Sequence, residues 1–220
     1  MNGDKAAAAR IAIAPPAYLL VHDSSDVARH AGVLSPRPAP GEVRAVVTPG
    51  RRAGIWQLDV VGRDQAGLLA ACTGVLAAAG LEVVQAVVAT WDDGTALEAF
   101  LVASSLAPDV TELQVAFEQS LALPVLTPPV DDAIVTFDAT VGGLYTACEV
   151  RALDRPGLLH ALAAAMAVAG ADVHAASVTT VDGIARDRFD LSDRDGERLT
   201  LARQEAVRRS IERGVAARAS

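Results

Sequence analysis

Apolar residues along this chain fall into strand-like and helix-like runs that alternate in a fixed order. Val43 to Thr48 and Ile55 to Val61 are short β-branched runs separated by a Gly-containing turn, and they read as a hairpin. Leu68, Leu69, Cys72, Val75, Leu76 and Ala79 then recur at helical spacing on one face, with Gly80 as a C-terminal stop. Glu82 to Thr90 and Ala96 to Ala103 return to strand character around an Asp/Gly turn, and Val110 to Leu121 is again helical. The series then starts over. Ile134 to Asp138 and Tyr145 to Arg151 precede a second helical face, formed by Leu158, Leu159, Leu162, Ala165, Met166 and Ala169 before Gly170. Asp172 to Thr180, Ala185 to Ser192 and a helix over Leu201 to Arg213 follow, the helix capped by Thr200 and ended by Gly214. The copies align without a gap at an offset of ninety residues, from Arg44 against Ile134 to Thr90 against Thr180. Self-similarity of this extent makes the chain a tandem repeat.

Each copy reads strand, strand, helix, strand, strand, helix, which is a rotation of the ferredoxin-like βαββαβ order. Residues 215–220 are too few and too polar to supply a closing strand. We therefore expect circularly permuted units, in which the first hairpin strand takes the edge position antiparallel to its neighbour. The predicted class is α+β: two tandem ferredoxin-like units, antiparallel sheets with helices on one face. An exposed edge invites further pairing, so the units are expected side by side, each covering the other's edge. The expected boundaries are a partly helical N-terminal extension over 1–41, units over 42–125 and 133–214, a linker over 126–132 and a tail over 215–220.

At 220 residues with 51% hydrophobic and 21% charged positions, both units can bury a modest core. No apolar run reaches the roughly 18 residues of a membrane span. A weakly charged N-terminus broken by Pro15 and Pro16 argues against a secretory signal, so a cytoplasmic chain is expected. The net charge of −8 and the absence of a basic, aromatic-interleaved stripe argue against nucleic acid as a partner. Cys72 stands where the second copy has Leu162, and Cys148 where the first has Leu58, so both thiols read as core hydrophobes. His160 matches Ala70, His174 matches Val84, and no His/Cys/acid cluster has metal-ligand spacing. Neither a metal nor another cofactor is expected. Asp187, Asp190, Asp193 and Asp195 sit in a run, RDRFDLSDRDGER, that reads as a solvated strand and turn.

The candidate chemistry lies in a motif that occurs twice, Asp64-Gln-Ala-Gly67-Leu-Leu and Asp154-Arg-Pro-Gly157-Leu-Leu. Either aspartate can cap the following helix while its glycine permits close backbone approach, and fold chemistry alone accounts for that much. The functional alternative is that the helix N-termini hold an anion such as an amino-acid α-carboxylate. An acid follows each helix-ending glycine by two residues, Glu82 and Asp172, and can accept an α-ammonium group.

These residues resemble a known family. DRPGLL, then AGADVHAASVTT and the strand RDRFDLSDRDG, look like an ACT domain, the small-molecule regulatory module of many amino-acid-controlled enzymes. The tandem pair, together with AYLLVHDSSDVARHAGVL over 17–34, is similar to the C-terminal regulatory part of the PII uridylyltransferase/uridylyl-removing enzymes. The first copy departs from the pattern, with Gln65 and Ala66 in place of Arg155 and Pro156. Nucleotidyl transfer in that family needs a Gly-Ser turn with paired aspartates, and its hydrolase needs a His-Asp metal cluster. Neither occurs here, and the isolated His22-Asp23 pair does not supply one. The resemblance implies a non-catalytic regulator that binds a free amino acid, glutamine favoured, in a nitrogen-metabolism setting and acts on an unidentified regulated protein. A ligand-free interaction or dimerisation module, homodimeric or not, and an uncharacterised enzyme stay open. The expected site is the backbone at Gly157 and Leu158, flanked by Asp154, Arg155 and Pro156, with Asp172 for the ammonium. Asp64, Gly67, Leu68 and Glu82 are expected to form a weaker second copy.

Overall fold

The computed structural model describes residues 8–15, 18–19, 22–122, 126–138 and 143–215. The start of the expected extension and the tail beyond Val215 lie outside the described residues. An N-terminal helix α1 (Ser24–Val33) precedes the first unit, which runs β1 (Arg44–Pro49), β2 (Ile55–Arg63), α2 (Leu68–Ala78), β3 (Glu82–Thr90), β4 (Thr95–Ala103) and α3 (Val110–Ser120). The second unit runs β5 (Ile134–Asp138), β6 (Thr146–Leu153), α4 (Leu158–Val168), β7 (Ala171–Ser177), β8 (Thr180–Val181), β9 (Ile184–Asp193) and α5 (Leu201–Arg213).

The strand order is β1-β2-β4-β3 in one sheet and β5-β6-β9-β7 in the other, with β8 paired to β9. Every pairing is antiparallel. This is the permuted ferredoxin-like arrangement, because β1 and β5 occupy the edge that a strand after the last helix would otherwise fill. The second unit departs from its expected pattern in one place: β7 ends at Ser177 instead of continuing to Thr180. Asp182 and Gly183, both at positive φ, form a two-residue hairpin turn between β8 and β9. The interruption leaves Val178 buried outside the ladder.

The units share one core. Leu58, Phe100 and Phe117 of the first belong to the same buried cluster as Cys148, Phe189 and Ile211 of the second. Helix α2 packs against α4, which is why both are apolar nearly all round: each is covered by its own sheet on one side and by the other helix on the other. The edge strands β3 and β7 lie against one another. They do not extend one sheet into the other, since no ladder joins the two sheets among the described residues. Each abutting strand carries a register shift, between Val83 and Gln85 and between Val173 and Ala175. Bulges of this kind twist an edge and end pairing.

The expectation of helices on one face holds for the repeats and fails for the extension. Tyr18, Val33 and Leu34 pack with Val61, Ala89, Trp91 and Leu97 on the face of the first sheet away from α2 and α3. Asp59, fully buried on that face, accepts from Arg29 Nε at 2.5 Å and lies 3.2 Å from His30 Nε2. Strand β2, IWQLDVVGR, is therefore covered on both faces, whereas β6, TACEVRAL, alternates between buried and exposed positions. The residues expected as a linker are mostly exposed but are tied to the second unit at Thr127 and Val130. Thr127 and Val215 exchange both backbone hydrogen bonds, at 2.9 and 3.0 Å, and buried Val130 donates its N–H to Ile211 O at 3.0 Å.

Candidate functional site between the two units

The recurrent motif is a turn before it is anything else. Leu158 N–H donates to Arg155 O at 3.1 Å, Pro156 takes the second position and Gly157 the third with φ 79° and ψ 3°. That is the geometry of a type II turn, whose third residue must tolerate positive φ. Gln65 to Leu68 repeats it, with Gly67 at φ 86° and ψ 9° and the same 3.1 Å bond from Leu68 N–H to Gln65 O. Each glycine is then the N-cap of its helix, with no side-chain cap.

Two expectations are corrected by this geometry. Asp64 and Asp154 do not cap the helices. The Asp154 carboxylate instead accepts from Thr180 Oγ1 at 2.8 Å, which ties the loop to β8. The Leu158 amide is engaged within the turn, which leaves the first-turn amides of Leu159 and His160 as the helix-start N–H groups without an intrahelical acceptor. Arg155 is held as well: its Nη1 donates to Asp132 Oδ1 and to Leu153 O, each at 3.0 Å.

The larger correction concerns which acid faces which loop. Helices α2 and α4 run antiparallel, so the start of each lies beside the end of the other. A Cβ on Gly157 would stand 4.0 Å from Ala77 Cβ, and one on Gly67 would stand 3.8 Å from Ala167 Cβ. The loop over Asp154, Arg155, Pro156, Gly157 and Leu158 therefore opens onto Glu82 and Val83 of the first unit, and the three parts line one cavity of about 440 Å³. The loop with Asp64, Gly67 and Leu68 faces Asp172 and His174 of the second unit around a space of only about 30 Å³. Acid and loop are exchanged between units relative to the pairing expected from the sequence. Within one unit the pairing is ruled out by length: the eleven residues of α4 rise about 16 Å between Gly157 and the start of β7.

The two spaces differ in what they can hold. A cavity of about 440 Å³ falls within the roughly 300–1,000 Å³ typical of small-molecule sites. About 30 Å³ is room for about one water. The smaller space is crowded by His174, which stacks on Tyr145 at 4.0 Å between centroids and has Nε2 2.7 Å from Ser192 Oγ. Burial lowers the His174 pKa and raises that of Asp172. At the larger space His160 replaces Ala70 of the first copy. Its Nδ1 donates to Ala70 O at 2.7 Å, and its ring lies over Gly74, where an added Cβ would come within 2.7 Å.

One pair of site residues is invisible to motif reading. Asp187 is 2% exposed, not solvated, and it lines the larger cavity. Its counterpart Glu98, 1% exposed, lines the smaller space. The two occupy the same place in their units, Asp187 opposite Val150 and Glu98 opposite Val60. Burial pushes the Asp187 carboxyl up to about 7 and that of Glu98 up to about 8. Glu98 also shares a hydrogen bond with the Cys72 thiol, and burial raises the pKa of that thiol. Cys148 is buried too, its pKa pushed up to about 12. The signal that finds these acids is the repeat itself, once a one-residue deletion in the β8–β9 turn is allowed for.

No protein-family model matches the chain. It is 30% identical over 218 residues to a bifunctional uridylyltransferase/uridylyl-removing enzyme of Nitrobacter winogradskyi, covering 89% of this chain and 24% of the enzyme. The enzymes of the same description from Nitrobacter hamburgensis and Gluconobacter oxydans are 30% and 29% identical, over 89% and 84% of this chain and 24% and 22% of their own lengths. The chain thus spans about a quarter of the length of these relatives. Among solved structures, the ligand-free regulatory subunit of aspartate kinase from Thermus thermophilus is 18% identical with a TM-score of 0.27, covering 77% of this chain and 97% of that one. That likeness is too weak to add to the topology described above. With its two permuted ferredoxin-like units and this similarity along most of its length, the chain resembles the C-terminal regulatory part of the bifunctional uridylyltransferase/uridylyl-removing enzymes.

Proposed function

We propose that this chain is a non-catalytic regulatory pair that binds one free amino acid between its units. The observation that carries the reading is the cavity of about 440 Å³ between the Asp154–Leu158 loop of one unit and the edge strand β3 of the other. An α-carboxylate placed at the N-terminus of α4 meets the helix-start N–H groups and the positive end of the helix dipole, which contributes about 0.3–1 kcal/mol. Glu82 and Asp154, both exposed at the mouth, suit an α-ammonium group. The side chain would extend inward along Thr73, Ala77 and Val178. A ligand that bridges two units stabilises their packing by mass action, and this is the physical means by which an amino-acid level would reach a regulated protein.

Resemblance to the uridylyltransferases supports a regulatory role, a nitrogen-metabolism setting and glutamine as the first ligand to try. Titration calorimetry against the twenty standard amino acids tests the reading. Saturable binding of at least one of them, at one site per chain, is the expected result. Absence of heat and of any thermal stabilisation across the panel would overturn it.

A further inference from the structure

The cavity has a polar end that the backbone loop does not explain. Asp187 projects from β9 beneath the Asp154–Leu158 turn, among Leu159, Val178 and Ala185. One side of its carboxyl takes a hydrogen bond from the Thr179 backbone. The other oxygen, Oδ1, is buried and has no hydrogen-bond partner. A buried polar atom left unpaired costs about 1–3 kcal/mol, so native proteins rarely keep one without a use. The second unit is not alone in keeping it. Glu98, at the same register position in the first unit, also lines the inter-unit space and also has an unpartnered buried oxygen, Oε2. An acid at this position is thus a property of the repeated unit.

We infer that Asp187 is the specificity-determining residue of the cavity, taking a hydrogen bond from a neutral donor at the end of the ligand's side chain. The inference rests on the amino-acid-binding reading above and names the side-chain class which that site selects. A carboxamide fits, because one N–H meets the one open oxygen. An aliphatic side chain leaves Oδ1 unpaired. A carboxylate sets like charge against it once Asp187 is ionised. An ammonium or guanidinium brings three to five donors to a pocket end whose other named walls, Leu159, Val178 and Ala185, offer apolar side chains. A site built to hydrogen-bond a polar group rejects analogues without that group far more strongly than an apolar pocket rejects a change of size.

The test is calorimetry on the whole chain with L-glutamine, L-leucine and L-glutamate as probes. It uses wild type, Asp187→Ala and the isosteric Asp187→Asn, each shown to be folded by circular dichroism. At pH 8.5, above the value of about 7 to which burial pushes the Asp187 carboxyl, wild type is expected to prefer glutamine to both competitors by at least about tenfold, one hydrogen bond to a charged group being enough for that ratio. Asp187→Ala should bring the glutamine-to-leucine ratio to within about threefold of unity, mainly by loss of glutamine affinity. Asp187→Asn, whose amide can donate, should shift the ratio toward glutamate. If wild type binds glutamine but both folded variants keep its three-way ratio, the role of Asp187 is overturned and the site reading stands. If wild type binds an amino acid without this preference, the role of Asp187 is likewise overturned. If wild type binds none of these three probes, the role of Asp187 is overturned; if it binds none of the twenty standard amino acids, the site reading falls with it.

Discussion

Replacing Glu98 with glutamine should make the chain's stability less dependent on pH, and the sign follows from burial. Glu98 is enclosed between β4 and α2 beside Cys72, and its carboxyl is pushed from the ordinary 4.5 up to about 8. Below about 4.5 the folded and unfolded chains both hold the proton. As pH rises through the window from 4.5 to about 8, the unfolded chain releases it while the folded chain keeps it, so stability falls. At about 1.4 kcal/mol per pH unit the full window is a ceiling of about 5 kcal/mol. That is a large share of the roughly 5–15 kcal/mol that holds a domain together. Asp187, pushed up to about 7, adds a slope of the same sign. In Glu98→Gln the charge that must be suppressed is gone. The glutamine amide leaves a buried donor to satisfy, a cost that does not change with pH. Urea unfolding of wild type and Glu98→Gln at pH 5, 6, 7 and 8 should show the variant gaining about 2–3.5 kcal/mol on wild type between the ends of the series. A difference between the two proteins that stays constant from pH 5 to pH 8 would refute the reasoning, because it would mean that Glu98 is ionised in the folded chain throughout.

Three further predictions follow from packing. Gly74→Ala should destabilise by about 1–3 kcal/mol, since its Cβ meets the His160 ring; most of that loss should vanish in a His160→Ala background, and a double-mutant cycle showing no coupling would contradict the contact. Cys72 and Cys148, both buried with raised pKa values, should resist alkylation at pH 8 until the chain is unfolded, and rapid stoichiometric labelling of the native protein would count against their burial. Limited proteolysis should spare residues 127–132, because Thr127 and Val130 are hydrogen-bonded to Val215 and Ile211; early cleavage there with release of two stable halves would contradict the shared core.

The elements were legible because each copy of the repeat checks the other. The bounds of β3, β5 and α5 agree with the sequence pattern at both ends; the predicted face of α4 is buried throughout, whereas Ala79 of the predicted α2 face is exposed and both helices also bury residues beyond that face. What periodicity could not supply was contact between elements of different copies. It gave no reason to bring Tyr18 and Leu34 onto the open face of the first sheet, although the unbroken apolar character of IWQLDVVGR was a trace of it. Gly157 and Asp172 are close in sequence, and that proximity suggested one site. Helix length alone separates them, and antiparallel packing of α2 on α4 hands Glu82 to the Gly157 loop instead. Asp187 was hidden by its neighbours: the exposed Arg186 and Arg188 flank it, so a strand with one buried acid read as a solvated strand and turn. The roles of Asp154 and Leu158 were misread because the Thr180 hydroxyl holds the Asp154 carboxylate and the turn's own hydrogen bond holds the Leu158 amide.

The central claim is that one site is open and that it is built from the loop of the second unit and the edge strand of the first. Calorimetry with L-glutamine on Glu82→Ala and Asp172→Ala tests it most directly. The account predicts one site per chain in wild type, a loss of roughly three- to fivefold in affinity for Glu82→Ala, as for one exposed charged contact, and affinity within about twofold of wild type for Asp172→Ala. Loss of binding in folded Asp172→Ala with Glu82→Ala unaffected would contradict it, since the ligand would then lie in the space beside Gly67 that the structure leaves almost closed.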